Sequence, residues 1–300
     1  MKKFTLSKKT KRTTFITLML LFPLTQFLIF TVYTNLSTFI MAFQELDANY
    51  NVVFVGLKNF RNFIIDFNMM PFWKSAIVHS FGYFPITVFV SLPLTVIVSY
   101  FLHNKIWGSG FFKVVFYIPN IVSIVVVALA FKEMFSNNGP INELLTGLGV
   151  KDIPKWFDDE GATMWILYLY AVWAGIGGNI ILVLGAMARV PQELREAGAL
   201  DGVGMWRELV QIYLPIIWST VSTLIVFGVA TMFSMFIHTL VLCGDDKVSS
   251  VTVASILVTE VNKGSAHYAS ALSLIIIVFA IPATQLAKYL VNKVWADVEV

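Results

Sequence analysis

The chain has 300 residues, 57% of them hydrophobic and 13% charged, against a charged share of roughly 25% in soluble domains, and its formal charge is +3. That composition excludes an ordinary soluble fold. The modest charge, without a basic patch interleaved with stacking aromatics, excludes a nucleic-acid partner, and the single cysteine, Cys243, excludes a disulfide framework within the chain.

The predicted elements, in chain order, begin with a basic tail over 1–14 carrying Lys2, Lys3, Lys8, Lys9, Lys11 and Arg12. An apolar run over 15–43 follows, too long for a secretory leader and without a small-residue cleavage site, so it reads as a retained first helix. Runs of about 20 apolar residues cross a bilayer core, and five more candidates follow at 76–102, 114–131, 162–187, 214–242 and 269–290. The fold class is therefore an all-α membrane protein with six transmembrane helices in one domain over 15–295. An even number of spans puts both termini on one side, and the positive-inside rule makes that side cytoplasmic, with a short tail over 296–300. Pro23, Pro85, Pro93, Pro119 and Pro282 are expected to kink their helices.

Between the spans, Leu57, Phe60, Phe63, Ile64 and Phe67 recur at helical spacing and predict an amphipathic helix lying on the membrane or the bundle. Asn137-Asn138-Gly139-Pro140 predicts a turn followed by a proline-started helix. Trp156 and Phe157, set among Lys155, Asp158, Asp159 and Glu160, read as exposed aromatics that anchor to headgroups or meet an outside partner. In the fourth span Ala171, Gly175, Gly178 and Asn179 share one face, and in the fifth Thr231, Ser234, Met235 and His238 do so. Both stripes fit a lining for a polar solute, since Asn, Ser, Thr and His bond hydroxyls and Met offers an adaptable apolar face. They also fit plain packing through small residues and interhelical hydroxyl bonds. His79, His103, His238 and His267 have no evident partners in the sequence.

The loop over 189–213 is polar and lies between two apolar spans. Pro191 suits a first helical turn, Glu193 and Glu196 favour the positive end of the helix dipole, and Gly202 is the natural stop before a second helix runs to Pro215. Ala197, Gly198 and Ala199 leave one turn nearly bare of side chains, open to close approach by another protein. The spacing from Glu196-Ala197-Gly198 through Asp201-Gly202 to Ile212 and Leu214-Pro215 resembles the EAA loop of ATP-binding cassette import permeases, with Gly198 where the pattern has a second alanine.

Three further stretches extend the resemblance to the sugar-type members of that family: 54–60 (FVGLKNF), 108–113 (GSGFFK) with Pro119 in the span that follows, and 268–272 (YASAL). The 244–247 stretch, Gly-Asp-Asp-Lys, departs from the glycine-rich sequence relatives often carry there. The resemblance implies a six-helix core whose EAA coupling helix lies in the cytoplasm between helices 4 and 5. It implies a second permease subunit, two cytoplasmic ATPase subunits, an extracytoplasmic solute-binding protein and a carbohydrate substrate. Glu196, Ala197, Gly198, Asp201 and Gly202 would then contact the ATPase, and Gly175, Asn179, Thr231, Ser234, Met235 and His238 would line the solute route.

Absent motifs narrow the chemistry. Without a GxxxxGK[ST] phosphate loop the chain supplies no nucleotide site, so ATP and Mg belong on the partner ATPase subunits and no cofactor on this chain. No HExxH, GxSxG or metal-ligand cluster is present, so no catalytic or metal-binding residue is assigned. The spans are nearly free of acids and bases except near their ends, at Lys132 and Glu133 for example, whereas ion-coupled carriers keep such groups inside the bilayer. A secondary carrier or channel for a small polar solute is the alternative, and transport without any ATPase would support it.

Overall fold

The computed structural model describes residues 7–244 and 248–294. Expectations made for Lys2, Lys3, Asp245-Asp246-Lys247 and the 296–300 tail fall outside those residues. In chain order the elements are α1 (Lys8–Met41), an antiparallel hairpin of β1 (Gln44–Leu46) and β2 (Val52–Phe54), α2 (Lys58–Met69), α3 (Phe72–His103), α4 (Ser109–Ile121) and α5 (Ile124–Met134). After them come α6 (Pro140–Gly147), α7 (Thr163–Met187), α8 (Gln192–Leu200), α9 (Met205–Ile216), α10 (Trp218–Ser234), α11 (Ile237–Cys243), α12 (Val253–Asn262) and α13 (Ala266–Val291). Helices α1, α3, α7 and α13 are each long and apolar enough to cross a bilayer, and the bent pairs α4–α5 and α9–α10 raise the total to six if each is one span.

Two of the expected spans are broken. The run over 114–131 bends by 110° between α4 and α5, where Val122 and Ser123 are extended just after Pro119. The run over 214–242 bends by 78° at Ile217, beyond Pro215, and breaks again at Met235 and Phe236. Proline removes one backbone donor and crowds the preceding turn, which explains the sites near Pro119 and Pro215. Pro23, Pro85, Pro93 and Pro282 lie within continuous helices, and Pro23 and Pro85 are each followed closely by a π-turn, Leu28–Tyr33 and Thr87–Ser91.

By packing, residues up to Ile65 with Glu260–Ile275 form one unit, and Asp66–Thr259 with the residues from Ile276 onward form another. In the first unit, Asn59 is buried and its side-chain amide donates to the Ala42 carbonyl at 3.0 Å and the Gln44 carbonyl at 2.9 Å. Phe60 packs on Phe43 with ring centroids 5.3 Å apart. These contacts anchor the start of the amphipathic helix α2 to the hairpin, while Leu57 and Ile64 stay exposed.

The second unit has two main apolar clusters. One gathers Leu92, Val96, Val183, Met187, Leu209, Tyr213 and Val221 around the 189–213 loop. The other gathers Tyr83, Phe131, Leu167, Tyr170, Met232 and Leu242. Phe157 belongs to this second cluster and is only 9% exposed, and the Trp156 indole N–H donates to Asn142 Oδ1 at 2.8 Å. The aromatic pair expected on the outer rim is therefore folded inward. Asn142 offers α6 an acceptor for the indole, and that bond together with apolar burial outweighs exposure at the interface. The turn before α6 needs its glycine, because a Cβ on Gly139 would stand 2.4 Å from the Glu133 carbonyl oxygen.

Candidate functional site

The 189–213 loop folds as a helix, an elbow and a second helix. Glu193 occupies the first turn of α8, and the Gln192 side-chain amide donates to Glu196 Oε1 at 2.7 Å, presenting that carboxylate at the surface. At the other end Gly202 has φ +70°, its N–H bonds the Ala199 carbonyl at 3.2 Å, and the Val203 N–H bonds the Gly198 carbonyl at 2.9 Å. This pair of bonds is the Schellman arrangement, which only a left-handed residue closes without strain.

The small-residue turn is less open than its sequence suggests. Ala197, Ala199 and Leu200 are exposed, Leu200 at 90%, together with Glu196 and Asp201. Gly198 is buried, and a Cβ there would come 2.8 Å from Ile212 Cδ1. The glycine therefore seats α8 on α9 and does not offer itself to a partner. The exposed surface of this turn is Glu196, Ala197, Ala199, Leu200 and Asp201.

A polar cluster behind α8 was not legible in the sequence. Arg195 donates from Nη2 to Asn104 Oδ1 at 2.9 Å, and its Nε lies 3.6 Å from Glu208 Oε1. The Tyr100 hydroxyl donates to the other Glu208 oxygen, and the Arg195 guanidinium lies 5.7 Å from the Tyr213 ring centroid. Three segments distant in sequence thus meet at one ion pair. Exposed at 36% and 21% in their side chains, Arg195 and Glu208 contribute only about 1 kcal/mol or less as a pair. Their directional geometry matters more than that energy.

The expected solute-lining stripe on the fifth span is not one helix face. Helix α10 stops at Ser234, Met235 is extended at ψ 101°, and His238 belongs to α11, so 3.6-residue periodicity does not carry across. Thr231 and Ser234 are exposed, with the Thr231 hydroxyl donating to the Phe227 carbonyl at 2.8 Å. Met235 is half-buried. His238 is 4% exposed, its Nε2 is 2.7 Å from the Tyr83 hydroxyl, and its ring stacks on Tyr170 at 5.3 Å. His238 is therefore a packed, hydrogen-bonded group, partnered as the sequence did not reveal. So is His79, whose Nδ1 meets the Val251 carbonyl at 2.8 Å.

On α7, Gly175 is exposed and a Cβ added there would meet nothing within 4 Å, while Asn179 is half-buried. The tight glycine is Gly177, where a Cβ would stand 1.9 Å from the Phe116 carbonyl oxygen of α4. Gly178 faces Asn120 Oδ1 at 3.0 Å on the same terms, and Asn120 Nδ2 donates to the Ala174 carbonyl at 3.3 Å. The spacing Gly-Gly over 177–178 was present in the sequence, but only a neighbour's backbone distinguishes a packing glycine from an open one.

The break after Ser234 is itself held by side chains. Thr252 Oγ1 donates to the Met235 carbonyl at 2.7 Å, and Ser80 Oγ accepts the Val253 N–H at 3.0 Å. Backbone groups freed inside a membrane protein need such partners.

Residues 91–296 match the family described as the binding-protein-dependent transport system inner membrane component. The chain belongs to that family. Over 219 residues it is 29% identical to the arabinooligosaccharides transport system permease protein AraP of Bacillus subtilis (strain 168), covering 72% of this chain and 68% of that one. It is 26% identical over 270 residues to the probable ABC transporter permease protein YurN of the same organism, covering 87% of this chain and 90% of that one. The crystal structure of a bacterial ABC transporter involved in the import of the acidic polysaccharide alginate shares its fold, with a TM-score of 0.81 at 20% identity over 95% of this chain and 98% of that one. As an inner membrane component with several bilayer-length helices, the chain is a multi-pass membrane protein.

Proposed function

We propose that this chain is a permease subunit of an ATP-driven importer, moving a sugar or oligosaccharide delivered by an extracytoplasmic binding protein, and performing no catalysis of its own. The observation that carries the reading is the exposed helix α8, capped by Gly202 and set between α7 and α9–α10, in a member of the binding-protein-dependent family. A short, polar, rigidly capped helix between spans is the shape a soluble motor subunit can grip. Carbohydrate is favoured by relatives named for arabinooligosaccharide and maltose/maltodextrin transport.

In this reading the bent pairs count as single spans, giving six, with both termini and the 189–213 loop in the cytoplasm. Of the two ATPase subunits that carry ATP and Mg, one docks on Glu196, Ala197, Ala199, Leu200 and Asp201, while Gly198 and Gly202 set the shape of the docking helix. A second permease subunit completes the pathway. Solute passes Thr231 and Ser234 on α10 and Gly175 and Asn179 on α7, with Met235 and His238 acting from behind that lining.

The test is reconstitution with an ATPase, a second permease and a binding protein that co-purify with this chain. Oligosaccharide-loaded binding protein should stimulate ATP hydrolysis and uptake, and Ala197→Trp should reach the membrane but lose ATPase association. Uptake that proceeds without any ATPase, or wild-type association by Ala197→Trp, would overturn the proposal.

A further inference from the structure

Helix α3 is tied by directional bonds at both of its ends. Beside the loop, Tyr100 donates to Glu208 of α9, and Asn104, just past the last turn, accepts from Arg195 of α8. Near the opposite end, His79 meets the Val251 carbonyl, Ser80 accepts from the Val253 N–H and Tyr83 pairs with His238. Tyr83 and Tyr100 lie roughly 25 Å apart along the helix at 1.5 Å per residue. No Asp, Glu, Lys or Arg occurs between them, and that stretch is held by apolar packing and small buried groups such as Ser91 and Thr95, with a long bond near its end from Ser99 Oγ to the Ile180 carbonyl at 3.4 Å.

We propose that α3 works as a push-rod carrying movement of the α8–α9 loop to Met235 and the Val251, Thr252 and Val253 stretch that holds it, with Arg195 and Glu208 as the positioning residues that couple it to the loop. This rests on the reading of α8 as the ATPase-docking helix. The covalent route through the fifth span transmits movement poorly, because it turns by 78° at Ile217 and loses helical structure at Met235 and Phe236. Helix α3 is continuous over 32 residues, interrupted only by the π-turn at Thr87–Ser91. Its far end also sits next to the bond that matters. Ser80 holds Val253, whose neighbour Thr252 holds the Met235 carbonyl, so a shift of α3 bears directly on the break in the fifth span.

The experiment uses the whole reconstituted complex with Cys243→Ala and Val251→Cys, the latter preserving the carbonyl that His79 contacts. Labelling of position 251 by a maleimide is compared between nucleotide-free and nucleotide-trapped complex. Trapping should change the labelling rate roughly 5-fold or more, the lower end of ordinary allosteric couplings. Adding Arg195→Gln with Glu208→Gln should bring that ratio close to one and lower solute moved per ATP, with the KM for ATP and the association of the ATPase unchanged. Tyr100→Phe, which removes one bond without touching the charge of the loop, should lower the ratio in part, and Arg195→Lys should retain more of it than Arg195→Gln.

An undiminished response at 251 in the assembled Arg195→Gln, Glu208→Gln complex would overturn the push-rod. So would the absence of any response at 251 in a complex that binds its ATPase and transports, which leaves the docking reading standing. Failure of the unaltered chain to bind the ATPase would overturn both.

Discussion

Helices α7 and α10 approach the same loop from its two sides, yet one runs 25 residues unbroken and the other ends within a few turns. Composition alone points the wrong way, since α7 holds Gly175, Gly177, Gly178 and Gly185 while the stretch around Met235 has neither glycine nor proline. In α7 Gly177 brings the α4 backbone into contact, and the ladder of helical hydrogen bonds survives all four glycines. Near Met235 the helix stops where the Thr252 hydroxyl supplies the donor that the Met235 carbonyl lacks, and Ser80 in turn holds the neighbouring Val253 N–H. A membrane helix thus breaks where another segment can satisfy its backbone, and local propensity is secondary.

The sharpest way to break this comparison is at the close contact. Gly177→Val should lower stability by about 3 kcal/mol, because the nearest obstacle is the Phe116 backbone and cannot turn aside. Gly175→Ala, in open space, should stay within about 0.5 kcal/mol. Thermal unfolding of the purified protein in detergent separates the two; equal effects would mean that α4 does not pack on α7 as described. Next in size, Thr252→Val should cost about 2 kcal/mol by leaving the Met235 carbonyl without its donor, whereas Thr252→Ser should cost less than half of that. Hydrogen exchange across 235–253 should rise in the valine variant alone.

The loop glycines give the smaller contrasts. Gly202→Ala should cost about 1 kcal/mol, since its φ of +70° is strained for any side chain. Gly198→Ala should cost less than about 1 kcal/mol, because the atom in its way is the end of the flexible Ile212 side chain. Comparing ATPase association of these two variants with that of Ala197→Trp tests whether residue 198 serves the interior of the loop. A larger loss for Gly198→Ala than for Gly202→Ala would return it to the docking face.

Much of the membrane architecture was legible because apolar length is a coarse, additive signal. The runs over 76–102, 162–187 and 269–290 match α3, α7 and α13 to within a few residues. The glycine stop at 202 was legible as well, being a property of one residue. The bend in the third span was legible as a kink expected at Pro119, though not its size, and the break at Met235 was not legible, since hydropathy does not record whether Thr252 stands ready to hold a carbonyl. The same limit hid the partner of His238, which is Tyr83 on a helix 155 positions away. Arg195 and Glu208 read as ordinary loop charges until the fold set them against Tyr100 and Asn104.

The π-turns at Leu28–Tyr33, Thr87–Ser91 and Glu208–Tyr213 each hold more chain than a regular α-helix needs for the same rise. Removing one residue from Glu208–Tyr213 would take out that surplus and let the helix relax to regular pitch with its two ends in the same mutual orientation, whereas removing one from a regular stretch of α9 or α10 would turn everything before the deletion by about 100° relative to everything after it. The π-turn is thus slack in the chain: a residue lost there leaves α8 pointing where it did, while the same loss elsewhere in α9 points it at the wrong neighbour.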